Sequence, residues 1–105
     1  MPDQPETLLN GYIDHTLLRP DATASDIEKL CKEAESNELF AVCINGCWVQ
    51  NAWNYLGESN VLIATVVGFP FGATDSDSKR YETEVAIDNG AHEIDLMINI
   101  GKFLD

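Results

Sequence analysis

The sequence predicts an α/β fold in which parallel strands alternate with helices. Four short apolar runs are separated by three stretches with helical periodicity, so the order is strand, helix, strand, helix, strand, helix, strand. Each connection is long enough to hold a helix, which favours parallel strands joined by right-handed crossovers. On the first and last strands polar residues alternate with apolar ones, which predicts that the two faces of the sheet differ.

Size and charge narrow the possible functions. The chain has 105 residues, enough for one domain, and 18 acidic residues against 6 basic ones give a net charge of −12. This charge repels nucleic acid and anionic membrane surfaces, so we expect neither as a partner.

An odd number of cysteines, without a disulfide framework, favours a reducing compartment and a cytoplasmic location. Residues 1–10 are polar and are predicted to form a leader ahead of a domain over residues 11–105.

The first strand is predicted within residues 11–18. Alternation places Asp14 and Thr16 on one face and Ile13 and Leu17 on the other. One face is therefore suited to packing under helices, and the opposite face carries polar groups.

The first helix follows this strand and has two candidate N-caps. Thr23 is one, and Ser25, which has the capping-box spacing to Glu28, is the other. Apolar residues then recur at i, i+3, i+4 and i+7, which predicts an amphipathic helix that ends at Asn37. These apolar residues are Ile27, Leu30, Cys31 and Ala34.

The middle of the chain contains two strands and two further helices. Residues 39–44 and 61–67 are apolar runs of the kind buried in parallel sheets, and Cys43 lies near the end of the first. A helix that ends at Gly57 is predicted between them. A third helix, with a weaker apolar stripe, is predicted to begin within residues 74–78.

The fourth strand, predicted over residues 93–99, has the same division of faces as the first. Asp95 lies on its polar face, together with Glu93, Met97 and Asn99. Two architectures fit the pattern: a small open doubly wound sheet, or part of a (β/α)8 barrel. The glycine-rich first turn of nucleotide-binding doubly wound sheets is absent, and a barrel would turn Asp14, Cys43 and Asp95 towards a common axis. Two carboxylates and a thiol there predict proton-transfer chemistry without identifying a substrate.

Four ordered motifs resemble successive segments of the deoxyribose-phosphate aldolase family. They are Tyr-Ile-Asp-His-Thr-Leu-Leu at 12–18, Ala-Val-Cys-Ile-Asn at 41–45, Thr-Val-Val-Gly-Phe-Pro-Phe-Gly at 65–72, and Asn-Gly-Ala with Glu-Ile-Asp-Leu-Met-Ile-Asn-Ile-Gly within 89–101. The resemblance implies a (β/α)8 TIM barrel, of which this chain would be the N-terminal half, with four strands and three helices. It also implies a class I aldolase that reversibly joins acetaldehyde to glyceraldehyde 3-phosphate through a lysine Schiff base, giving 2-deoxyribose 5-phosphate, without metal or other cofactor.

The resemblance also implies roles for individual residues. Asp95 matches the carboxylate that acts in proton transfer, and Asp14 matches an acidic residue of the active-site network. Positions that line the substrate pocket are matched by Thr16, Leu18, Cys43 and Phe69. Cys43 and Cys47 are four residues apart, but no His or further Cys is near enough in sequence to complete a zinc site, so no metal is expected.

The Schiff-base lysine of the family lies on a later strand than any in this sequence. None of the four lysines here, Lys29, Lys32, Lys79 and Lys102, matches it. The chain alone is therefore predicted to be inactive, and the exposed edges of a half-barrel predict a homo-oligomer. The alternative is a small α/β binding domain without catalysis.

Overall fold

Four parallel strands alternate with helices in the computed structural model, which describes residues 11–104. The strands are β1 (Asp14–Leu17), β2 (Ala41–Ile44), β3 (Leu62–Val67) and β4 (Glu93–Leu96). The helices are α1 (Ala24–Ser36), α2 (Val49–Leu56), α3 (Ser76–Asp88) and α4 (Ile100–Leu104), and a 3-10 turn (Gly46–Trp48) leads into α2. The predicted leader at residues 1–10 lies outside the described range. Within that range no helix combines the length and apolar character needed to cross a bilayer.

The strands lie in the order β1-β2-β3-β4, and every neighbouring pair is parallel. A doubly wound sheet reverses its strand order at a switch point, whereas a barrel adds each strand beside the last one. The sequential order therefore confirms the predicted half of a (β/α)8 barrel. It also gives the sheet one outer face for the helices and one inner face towards the barrel axis.

The main core lies between the outer face of the sheet and helices α1 and α2. Ile27 of α1 and Leu56 of α2 pack with Ile44 and Ile63 of the sheet, and each of the four is at most 1% exposed. Burying a side chain of this size contributes roughly 1.5–3 kcal/mol. Helix α3 is covered much less: Ala86 is its one buried residue in the described range. This agrees with its weak apolar stripe.

Thr23, the first of the two candidate caps, is the N-cap of α1. Its hydroxyl accepts a hydrogen bond from the Asp26 backbone N–H at 3.3 Å, and the Asp26 carboxylate accepts one from the Thr23 backbone N–H at 2.9 Å. This reciprocal pair is a capping box with Asp26 at the third helical position. Ser25, the other candidate, is not the N-cap. The backbone of Thr23 is extended, at φ −108° and ψ 169°, so the helix starts two residues earlier than a cap at Ser25 would require.

We expect Thr23→Ala to lower the free energy of unfolding by about 1 kcal/mol, because the Asp26 backbone N–H in the first turn of α1 loses its hydrogen-bond acceptor. Urea unfolding followed by circular dichroism measures the change. Ser25→Ala is the matched control, and we expect it to change the unfolding free energy by less than about 0.5 kcal/mol. Equal effects of the two substitutions would contradict the assignment of the cap.

The structure differs from the sequence prediction at the end of β4. The strand ends at Leu96 instead of continuing to Asn99, and a short fourth helix begins at Ile100, where the alternation of strands and helices calls for one. Asn99 is the physical reason: its side-chain Oδ1 accepts a hydrogen bond from the Lys102 N–H at 3.2 Å, and its carbonyl accepts one from the Phe103 N–H at 3.0 Å. The residue assigned to the inner face thus caps a helix instead.

Candidate active site

The inner face of the sheet holds a small cluster centred on Cys43. Cys43, Ala64 and Val66 are buried there, and the partly buried side chains of Leu18 and Met97 pack against them. Strands β2 and β4 are separated by β3, a span of about 10 Å at normal strand spacing. Even so, Cys43 Sγ donates a hydrogen bond to Asp95 Oδ2 at 3.7 Å. The side chains of these two strands therefore meet across β3, where Ala64 is in register with Cys43 and Val66 with Asp95.

Burial and three carboxylates hold the Cys43 thiol in its neutral form. Burial raises the pKa of Cys43 to about 11, and the charge and hydrogen bond of Asp95 add to this effect, followed by the charges of Asp14 and Glu93. At neutral pH the side chain is therefore a thiol that can donate a hydrogen bond, and only a trace is thiolate. Cys43 is suited to shaping a pocket wall and orienting Asp95.

The register of β1 with β2 places the Asp14 carboxylate on the inner face, because Asp14 pairs with Ala41, two residues before Cys43. Thr16 lies directly in register with Cys43 on the neighbouring strand. Leu18 packs against the cluster, and its carbonyl accepts a hydrogen bond from Asn45 Nδ2 at 3.1 Å. The first strand and the residue that follows it thus bring three of the predicted site residues to the Cys43 cluster or beside it.

Phe69 lies in a different position from the other predicted site residues. It belongs to the loop after β3, is 42% exposed, and is not one of the buried or partly buried side chains around Cys43. Its loop leaves the carboxyl end of β3, which is the end at which barrel sites form. Its place in a substrate pocket therefore stays a prediction.

Glu93 was not among the predicted site residues, although it adds to the negative charge around Cys43. The signal was present in the sequence, because Glu93 is two residues before Asp95 and alternation gives them the same face. Its register partner is Ala64, which is also the register partner of Cys43. The inner face therefore carries three carboxylates, which favour a positively charged group bound among them.

No lysine in residues 11–104 forms a hydrogen bond or ion pair with Asp14, Asp95 or Cys43. Lys32 pairs with Glu28 at 2.8 Å on the outer surface of α1, and Lys79 donates to two backbone carbonyls. Within the same range no group of three or more His, Cys, Asp or Glu side chains is arranged to hold a metal ion. The arrangement can bind a cationic centre and transfer protons, but these residues do not place an amine nucleophile beside the carboxylates.

A family model and curated relatives of this chain point to the same family of aldolases. A family model described as DeoC/LacD family aldolase matches residues 9–103. A deoxyribose-phosphate aldolase of Ureaplasma parvum is 53% identical over 96 residues, and one of Clostridium botulinum is 52% identical over 94. The matches cover 91% and 90% of this chain but 45% and 44% of those proteins. The chain therefore spans about 45% of the length of the curated relatives it matches.

The fold comparison agrees with the sequence comparison. The solved deoxyribose phosphate aldolase from Aeropyrum pernix, whose structure is described as a unique tetramer, superposes with a TM-score of 0.88 at 26% identity. The superposition covers 92% of this chain and 42% of that one. These matches favour the aldolase interpretation over a free-standing binding domain.

Proposed function

This chain belongs to the DeoC/LacD family of aldolases, and we propose that it supplies the acid–base side of a site that cleaves 2-deoxyribose 5-phosphate. The products would be acetaldehyde and glyceraldehyde 3-phosphate. The observation that carries the proposal is the 3.7 Å hydrogen bond from Cys43 Sγ to Asp95 Oδ2 on the inner face of the sheet, the face on which the strand register also places Asp14 and Glu93. Relatives at 52–53% identity bear the name of this activity.

The chemistry of a Schiff-base aldolase needs these side chains. A lysine amine adds to the sugar aldehyde, the carbinolamine loses water when a proton is delivered to its hydroxyl, and the resulting iminium is a cation. Carboxylates around the iminium would stabilise that charge, and Asp95 would pass protons to and from the reacting atoms. Asp14 would support this network from β1. Thr16, Leu18, Cys43 and Phe69 would form the wall around the substrate.

The nucleophile is the component that residues 11–104 do not place at the site. We therefore propose that the chain alone does not turn over and that the amine comes from a part equivalent to the remaining length of the relatives. The test combines the purified chain with 2-deoxyribose 5-phosphate, an acetaldehyde assay and borohydride trapping, followed by intact-mass measurement. We expect no acetaldehyde and no trapped adduct. Turnover with an adduct on one of the four lysines would overturn the missing-amine argument and leave the aldolase activity standing.

We also propose that the chain self-associates, as the tetrameric description of the Aeropyrum pernix enzyme suggests for a relative. An apolar groove of about 630 Å³ lies beside the open edge of β4, with Phe71, Ile98 and Phe103 among its lining residues. These three side chains are 64–78% exposed. Such a patch favours association, whereas a charge of −12 on each copy opposes it.

Light scattering after size exclusion, in 50 mM and 500 mM NaCl, tests the association. We expect a dimer or larger assembly whose fraction grows with salt, because screening removes the repulsion between acidic copies. A folded monomer under both conditions would contradict the proposal.

A cytoplasmic location is proposed as well, supported by the free thiols of Cys31, Cys43 and Cys47. Cell fractionation that finds the chain outside the cytoplasm would contradict it.

A further inference from the structure

Lys79 joins the carboxyl ends of two neighbouring strands. Its ammonium Nζ donates to the Gly72 carbonyl at 2.6 Å and to the Met97 carbonyl at 3.0 Å. Gly72 lies in the loop after β3, four residues before α3 begins at Ser76, and Met97 follows the last residue of β4. Hydrogen bonds from a charged donor are roughly twice as strong as neutral ones, so this is a firm link between the two segments.

The loop held by Lys79 is compact and is braced from α3 at both of its ends. Within the loop, the Gly72 N–H donates to the Gly68 carbonyl at 2.7 Å. The Gly68 N–H donates in turn to the Glu82 carboxylate of α3 at 3.0 Å. The alkyl chain of Lys79 also lies over Gly68, because a Cβ added there would be 3.1 Å from Lys79 Cε. Phe69 lies between Gly68 and Gly72, the two residues that α3 holds in place.

The exit of β4 is held from two sides. The Met97 N–H donates to the Val67 carbonyl at 2.9 Å, while the Met97 carbonyl accepts from Lys79. Asp95 is two residues earlier on the same strand, and its carboxylate reaches across β3 to Cys43. A shift of the Met97 peptide group would therefore move Asp95 relative to the thiol.

We propose that Lys79 is a positioning residue of the aldolase site: by tying the loop of residues 68–72 to the exit of β4, it fixes the distance between the Asp95 carboxylate and Cys43. Its contribution to catalysis rests on the function proposed above. The geometric claim does not, because the Asp95–Cys43 contact can be measured in the chain without substrate.

The pKa of Cys43 distinguishes a positioning role of Lys79 from a purely electrostatic one, because the two roles predict pKa changes of opposite sign. If Lys79 acted only as a nearby cation, its loss would disfavour the thiolate and raise the pKa of Cys43. If Lys79 holds Asp95 against the thiol, its loss lets the carboxylate move away and lowers that pKa. The two explanations predict opposite directions.

The experiment measures alkylation rates of individual cysteines by iodoacetamide between pH 7 and 11, resolved by peptide mass spectrometry, for the whole chain. In Lys79→Met we expect the Cys43 rate at pH 8 to rise severalfold, up to about tenfold for a fall of one pKa unit. In Lys79→Arg, which keeps charged donors, we expect the Cys43 alkylation rate to stay close to that of the natural chain. Lys32→Met on α1 is the matched control and should leave the Cys43 rate unchanged. Cys31, buried in the helix-side core, serves as an internal reference.

A double variant separates positioning from a general loss of structure. Asp95→Asn alone should also raise the Cys43 rate, and adding Lys79→Met to it should change that rate no further, since the contact is already lost. An unchanged or slower Cys43 rate in Lys79→Met would overturn the proposal. Parallel acceleration of Cys43 and Cys31 would overturn it too, because it would indicate opening of the whole fold. If Lys79→Met does not fold, Lys79→Gln, which keeps one donor, is tested against the same outcomes.

Discussion

Asp95→Asn is expected to lower kcat/KM for cleavage of 2-deoxyribose 5-phosphate by about 10²- to 10⁴-fold, the usual contribution of a general acid–base group. The measurement uses a chimera that joins this chain, up to the end of its match with the Ureaplasma parvum relative, to the part of that relative that follows the matched region. Asparagine keeps the shape of the side chain but can neither accept a proton nor stabilise a cation as a carboxylate does. The loss should appear mainly in kcat, since protons move during the chemical steps.

Glu28→Gln in the same chimera is the control for the loss of one carboxylate. Glu28 pairs with Lys32 on the outer surface of α1, and we expect kcat/KM to stay within about twofold because exposed ion pairs contribute little to stability. An Asp95→Asn chimera with nearly full activity would rule out proton transfer by this residue. A chimera that forms no acetaldehyde with the natural Asp95 would contradict the proposed function itself.

Gly72→Ala is expected to lower the free energy of unfolding by at least about 2 kcal/mol. Gly72 has a φ of +68°, and an added Cβ would lie 2.4 Å from the Ile98 carbonyl oxygen and 2.7 Å from its carbon. The strain of the left-handed backbone therefore adds to a collision with main-chain atoms that cannot rotate away. Urea unfolding of the whole chain measures the loss.

Gly46→Ala is the matched control for this substitution. The nearest atom to a Cβ at Gly46 is Thr65 Oγ1 at 4.0 Å, which is ordinary contact, so we expect a change within about 0.5 kcal/mol. If Gly72→Ala were equally well tolerated, the close approach of the loop to the exit of β4 would be wrong. The positioning role of Lys79 would lose its geometric basis at the same time.

Alternation along the strands predicted which side chains share the inner face. Asp14, Cys43 and Asp95 could be assigned to one surface because a strand reverses its side-chain direction at every residue, whatever surrounds it. The helices were predictable for a related reason: the apolar residues of α1, from Ile27 to Ala34, repeat with the period of a helix. Both patterns depend only on residues close together in the chain, so the sequence alone is enough to predict them.

The contacts between segments could not be predicted in this way. The ammonium group of Lys79 meets the carbonyl of Met97, 18 residues away, because a loop and a strand end happen to approach each other. Carbonyl groups are identical at every residue, so no side-chain pattern marks the two that Lys79 selects. Asn99 was misassigned for a similar reason, since its residue type suits both a strand end and a helix cap, and the path of the chain decides between them.

The central claim is that carboxylates from β1 and β4 face one point on the inner surface of the sheet. A pH titration of the Cys43 thiol in the natural chain, Asp14→Asn and Asp95→Asn tests it most directly. The account predicts a pKa of about 11 in the natural chain and lower values in both variants, with the larger fall for Asp95→Asn. The Cys31 thiol, whose pKa burial raises to about 11, should not change. A Cys43 pKa that is the same in all three proteins would contradict the convergence on which the proposed site depends.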